Sequence, residues 1–147
     1  MNVRSFIKYW LPVLLWMVFI FIGSTDLMSA EHTSRFIGPF LRWFVPDIAP
    51  ATIISIQLFV RKCAHLTVYA ILAALLYRAF LQSIGRLGSA GVFAFVVAVA
   101  YASLDEFHQS FVVSRSGSPI DVAIDAAGAL IGLMLYWFMI RRRPIEI

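Results

Sequence analysis

Ten polar residues, nine in three stretches and one between the last two, lie at spacings that would let them share one site. "RKCAHLTVY" carries Arg61, His65 and Tyr69 at i, i+4 and i+8, one face of a helix, with Lys62 beside them. "LDEFHQ" sets Asp105 and Gln109 on one face and Glu106 about a quarter-turn away. "SPIDVAIDAAGALIG" places Asp121, Asp125, Gly128 and Gly132 within a ~60° sector at about 100° per residue. Arg115 lies between the last two stretches. Carboxylates and an imidazole on facing helices can move protons, with His65 or Glu106 as a general base. Arginine and lysine can hold a phosphate or carboxylate. A metal would need His65, His108, Glu106 and Asp125 to converge; no H-x-x-x-H or H-E-x-x-H spacing appears, so no metal ligand is assigned and no cofactor is expected. Ser103, Ser110 and Ser114 lack a base at a known spacing, which leaves no nucleophile to assign.

The elements that must position these residues are apolar. Of 147 residues, 61% are hydrophobic and 14% charged, and mean hydropathy is +0.86. A soluble domain of this size cannot hide that much apolar surface, so the surplus faces lipid. A lone cysteine, Cys63, excludes an internal disulfide framework. Net charge is +4, but the basic residues flank apolar runs and form no nucleic-acid face. The expected fold is all-α: one domain, residues 1–147, with four membrane spans near Phe6–Gly23, Cys63–Leu81, Leu87–Leu104 and Val122–Ile140. Phe36, Ile37, Phe40, Leu41 and Phe44 predict a short amphipathic helix on the external surface between the first two spans, with Arg35 and Arg42 toward headgroups. Pro46 and Pro50 break it, and from Ala51 a helix resumes well ahead of the second span.

Charge sets the orientation. With the N-terminus inside, the cytoplasmic segments carry Arg4, Lys8, Arg78, Arg86, Arg141, Arg142 and Arg143 against Glu146 alone. The ten polar residues then lie on the extracytoplasmic side, and both termini are cytoplasmic. The first span follows Arg4 and Lys8 as a secretory signal would. It is long and aromatic, however, and "LMSA" makes a poor cleavage site, so an uncleaved helix is expected.

The polar residues also have structural readings. Ser118-Pro119-Ile120-Asp121 is a capping-box pattern, which would give Asp121 the role of a cap. Asp125 lies one turn deeper; a charge at mid-membrane costs ~2.5–3.5 kcal/mol on insertion scales, and less near the interface. It is therefore expected to pair with Arg61 or Arg115, or to be a neutral hydrogen-bonding group. Gly128 and Gly132 form a GxxxG on the same face and permit close helix packing, with Ala129 as an outward control position.

The three stretches, together with Arg115 and the "GS" after it, resemble the VanZ-like family of small bacterial membrane proteins. The resemblance covers residues 61–132, and Asp125 stands where that family more often has asparagine. It implies a bacterial cytoplasmic membrane protein linked to lowered glycopeptide susceptibility, teicoplanin above all. The expected ligands are membrane lipids, a cell-wall precursor or a glycopeptide-type molecule, with no nucleic acid among the partners. A phosphotransbutyrylase label attached to some members finds no phosphate-cradling glycine loop here. Three functional classes follow. The leading one is non-enzymatic binding of an anionic envelope ligand. The others are an enzyme acting on an envelope lipid or phosphate ester, and a structural partner of another membrane protein that docks on the GxxxG face.

Overall fold

The computed structural model describes residues 2–25, 30–111 and 117–142. Ser114, Arg115, Arg143 and Glu146, named above, lie outside them. The described residues form five helices and no strand: α1 Val3–Gly23, α2 Ala30–Phe44, α3 Pro50–Ile84, α4 Leu87–Gln109 and α5 Pro119–Arg141. All but α2 are long and apolar enough to cross a membrane. Outward faces carry the lipid-compatible side chains, such as Leu15, Phe19, Val96, Met134 and Leu135.

Helix α3 runs 35 residues without a break, which matches a second helix that starts ahead of its span. Gly85, at φ 71°, ends it in the left-handed conformation that glycine adopts without strain, and its N–H closes on Leu81 O at 2.9 Å. Helix α4 therefore turns back immediately. Its buried stripe is Ala90, Ala94, Ala98 and Ala102, all at i+4 and none more than 1% exposed. Such small side chains let α4 sit close to both α3 and α5. Continued by one turn, the stripe reaches Glu106.

Helices α3 and α5 run parallel, and their register can be read directly. A Cβ added at Gly128 would fall on the carbonyl oxygen of Leu66, and one at Gly132 on that of Ala70. The GxxxG face is thus filled from within the chain, and it is not available as a dock for a second protein. Ala129 is fully buried rather than outward, because the close crossing covers more of α5 than the glycine face alone. The exposed position beside the motif is Ala127.

Helix α1 packs on α3. Trp16 Nε1 donates to Val68 O at 2.9 Å, and Tyr101 of α4 donates from its hydroxyl to Met17 O at 2.7 Å. Helix α2 leaves Phe36, Phe40, Trp43 and Phe44 exposed, spaced i, i+4, i+7, i+8, as the amphipathic reading requires. The two ends of the bundle differ in charge. One collects the basic residues, where Arg78 donates to Lys8 O at 3.2 Å and Arg141 lies 3.9 Å over the Trp137 ring. The other end collects the acids.

Candidate functional site

At the acidic end, the middle of α3, the last turn of α4, the first two turns of α5 and the Ser24 cap of α1 converge. The parallel register of α3 and α5 decides which residues meet. Lys62 faces Asp121 (Nζ–Oδ1 3.2 Å), and one turn deeper His65 faces Asp125 (Nδ1–Oδ1 3.1 Å, Nδ1–Oδ2 3.5 Å). Gly128 and Gly132 meet Leu66 and Ala70 further on. The imidazole, not Arg61, is the partner of Asp125. Arg61 sits a full turn nearer the helix start, level with Gln109, and its guanidinium donates to Gln109 Oε1 at 3.3 Å.

Gln109, with no exposed surface, organises a second thread. Its amide donates to Asp105 Oδ2 at 3.0 Å and to Ser24 Oγ at 3.4 Å, while the Ser24 hydroxyl donates to Ile20 O. The i, i+4 pair Asp105–Gln109 is the shared face expected from sequence. Glu106 supplies the third thread. Its Oε2 accepts the Ser118 N–H at 2.8 Å, and Ser118 Oγ in turn accepts the Ile120 N–H at 3.2 Å. Asp121 does not close a capping box on Ser118. Its carboxylate turns out to Lys62, and Glu106 from α4 takes the position that the third residue of a capping box normally fills. The cap thereby ties α4 to α5. Gly117 belongs to this tie, since a Cβ there would fall on Glu106 O.

Asp105 and Glu106 are each 4% exposed and Asp125 is fully buried. Neither Asp105 nor Glu106 is a solvated helix end. The cations do not neutralise them in matching number. Lys62, half exposed, is spent on Asp121, a rim pair worth at most ~1 kcal/mol. Arg61 makes no ion pair among the described residues. Glu106 Oε1 has no hydrogen-bond partner among the described residues, whereas the buried Tyr69 hydroxyl lies beside the Asp105 carboxylate and is its nearest donor, without closing a bond of good geometry. A buried acceptor left unmatched costs ~1–3 kcal/mol, so the site is poised to receive donors or a cation.

One ligand atom each from His65, Glu106 and Asp125 lies within 4.8 Å of the other two. His108, the fourth residue considered at the sequence level, turns away onto Phe21 of α1, ring centroids 4.8 Å apart. With Asp125 as a carboxylate accepting the Nδ1 proton, His65 keeps Nε2 as a lone-pair donor. This is the arrangement by which an acid orients an imidazole for proton transfer. His65 is reachable, with 14% of its side chain exposed. A cavity of about 570 Å³ lies elsewhere, between α2 and α3, lined by Arg35, Arg42, Pro39, Ile53 and Gln57. It contains none of these residues.

Nine of the ten sequence-selected residues meet at this end; Arg115 lies outside the described residues. Ser24 was missed because nothing in a helix C-terminus signals contact with Gln109. The alanine stripe of α4 was legible, as four alanines at i+4, and points along the helix to Glu106.

A family model described as VanZ/LLP1 matches residues 9–140, a stretch that contains every residue of the cluster. No curated protein and no solved structure matches the chain.

Proposed function

The chain belongs to the VanZ/LLP1 family, and from this premise we propose that it binds a phosphate-bearing cell-envelope ligand at the acidic end of its bundle, which faces away from the cytoplasm. The observation that carries this reading is Arg61, a cation with no ion pair among the described residues, at the same end of the bundle as the buried Glu106 Oε1, which has no hydrogen-bond partner among them. Arg61 takes the anionic group of a lipid headgroup or wall precursor, joined by Lys62 where the half-exposed ammonium leaves its rim pair with Asp121. Glu106 Oε1 takes a hydroxyl or amine donor of the same ligand. Holding such a ligand at the outer surface is the route by which the protein lowers glycopeptide susceptibility, teicoplanin included.

Mass spectrometry of what co-purifies with the detergent-solubilised protein tests the ligand. A phosphate-bearing lipid or wall precursor is expected to be retained by the parent and depleted severalfold in Arg61→Gln. The masses separate the two sources. Identical profiles from the two proteins would remove the reading.

Orientation has its own test, which rests on the charge difference between the bundle ends. A reporter active only outside the cytoplasm is expected to work when fused after Ser110 and to fail after Gly85. The reverse pattern would move the site to the cytoplasmic face.

The His65–Asp125 hydrogen bond favours a second reading, in which His65 is the base of an enzyme acting on the same ligand class and Arg61 stabilises phosphate charge. Turnover lost entirely in His65→Gln, with ligand still bound, distinguishes this enzyme from a binder, whose affinity would fall in graded steps.

A further inference from the structure

We propose that His65, Glu106 and Asp125 form a binding site for one divalent transition-metal ion, of the Zn²⁺ or Mn²⁺ class. This deepens the reading above by naming a cofactor for the same site. It rests on that reading only for what would fill the ion's remaining coordination position.

Geometry is the first support. Ligands ~2.0–2.2 Å from a tetrahedral ion stand roughly 3.4 Å from one another. His65 Nδ1 is 3.1 and 3.5 Å from the two Asp125 oxygens, the spacing of two ligands on one ion as much as of a hydrogen bond, and the ion would take Nδ1 in the tautomer that carries the ring proton on Nε2. All three ligand atoms lie within 4.8 Å, so the closure needed on any pair is roughly 1.4 Å or less, within the reach of side-chain torsions.

Chemistry is the second. Glu106 is 4% exposed and, with Oε2 accepting the Ser118 N–H, its Oε1 has no partner among the described residues. The Ser118 bond fixes the carboxylate from behind, as outer hydrogen bonds do for metal ligands. Two carboxylates with a neutral imidazole carry two negative charges that a divalent ion would balance, whereas Arg61 is turned to Gln109 and Lys62 to Asp121. One nitrogen and two oxygens suit Zn²⁺ or Mn²⁺. Cu(I) would want sulfur, and Mg²⁺ is poorly served by imidazole. Three protein ligands leave a position for an oxygen of water or of the bound phosphate. The ligands come from α3, α4 and α5, so the ion would also fasten the three helices at one end.

The test uses full-length protein with a tag free of histidine, washed with chelator and titrated in detergent with Zn²⁺ and, separately, Mn²⁺, with no envelope ligand added. About one ion per chain is expected to bind, with a rise in thermal midpoint. Glu106→Gln and Asp125→Asn, which keep side-chain shape, are expected to weaken binding about a hundredfold or more, since even outer partners of metal ligands are worth 10–100-fold. Cys63→Ser, at an exposed position outside the cluster, is expected to leave it unchanged. If the parent takes up neither ion, or if both shape-conserving variants bind as the parent does, the site is overturned. Because the titration omits the envelope ligand, its outcome is independent of whether that ligand was correctly identified.

Discussion

Gly132→Ala and Gly128→Ala are each expected to reduce folded yield severalfold, and the corresponding leucine variants to abolish it. The Cβ of an alanine at either position would fall on a backbone carbonyl of α3, Ala70 O or Leu66 O. A side chain in the way could change rotamer; a helix carbonyl cannot move without shifting its helix. Overpacking a core costs ~1–3 kcal/mol, and a clash with backbone belongs at or above the top of that range. The loss would spread, because the same crossing sets the register that brings Lys62 to Asp121 and His65 to Asp125. Ala127→Leu, one residue from Gly128 but exposed, is expected to accumulate like the parent. The measurement is the monodisperse fraction recovered from detergent. Equal recovery of Gly132→Ala and Ala127→Leu would contradict the close α3–α5 crossing.

Much of this architecture is legible in the sequence, because membrane spans announce themselves by length and apolarity and glycines at i, i+4 announce a close crossing. The faces were legible too. Asp105 with Gln109, and Asp125 with Gly128 and Gly132, lie on single faces of their helices as 3.6-residue periodicity requires. Pairing between helices was not. Periodicity fixes the direction in which a side chain leaves its own helix, but not the axial offset of a neighbour. Asp125 could therefore be matched to a strong cation, Arg61 or Arg115, when the offset places His65 beside it. Asp121 failed as a cap for a related reason: a local pattern was overridden by a tertiary partner, Glu106, for the Ser118 N–H and by Lys62 for the carboxylate. Ala129 shows the converse error. A position judged from the glycine face alone is buried because the helices approach closely enough to cover the adjoining residue.

Asp125→Ala is expected to destabilise the protein by ~1–3 kcal/mol, because it empties a fully buried position and leaves His65 Nδ1 without its partner. Asp125→Asn should do less harm, because its side-chain carbonyl can still accept the His65 Nδ1 proton. Arg61→Met should not rescue Asp125→Ala, since Arg61 bonds Gln109 instead. The most direct test of a single site built by the register of α3 and α5 is therefore a double-mutant cycle on His65 and Asp125, read by thermal unfolding in detergent with chelator present. The structure predicts that His65→Ala and Asp125→Ala together cost clearly less than the sum of the two, with a coupling of ~0.5–3 kcal/mol, while Arg61→Met and Asp125→Ala add. Strict additivity for the His65–Asp125 pair, or coupling between Arg61 and Asp125 in its place, would contradict the register and with it the cluster of His65, Glu106 and Asp125.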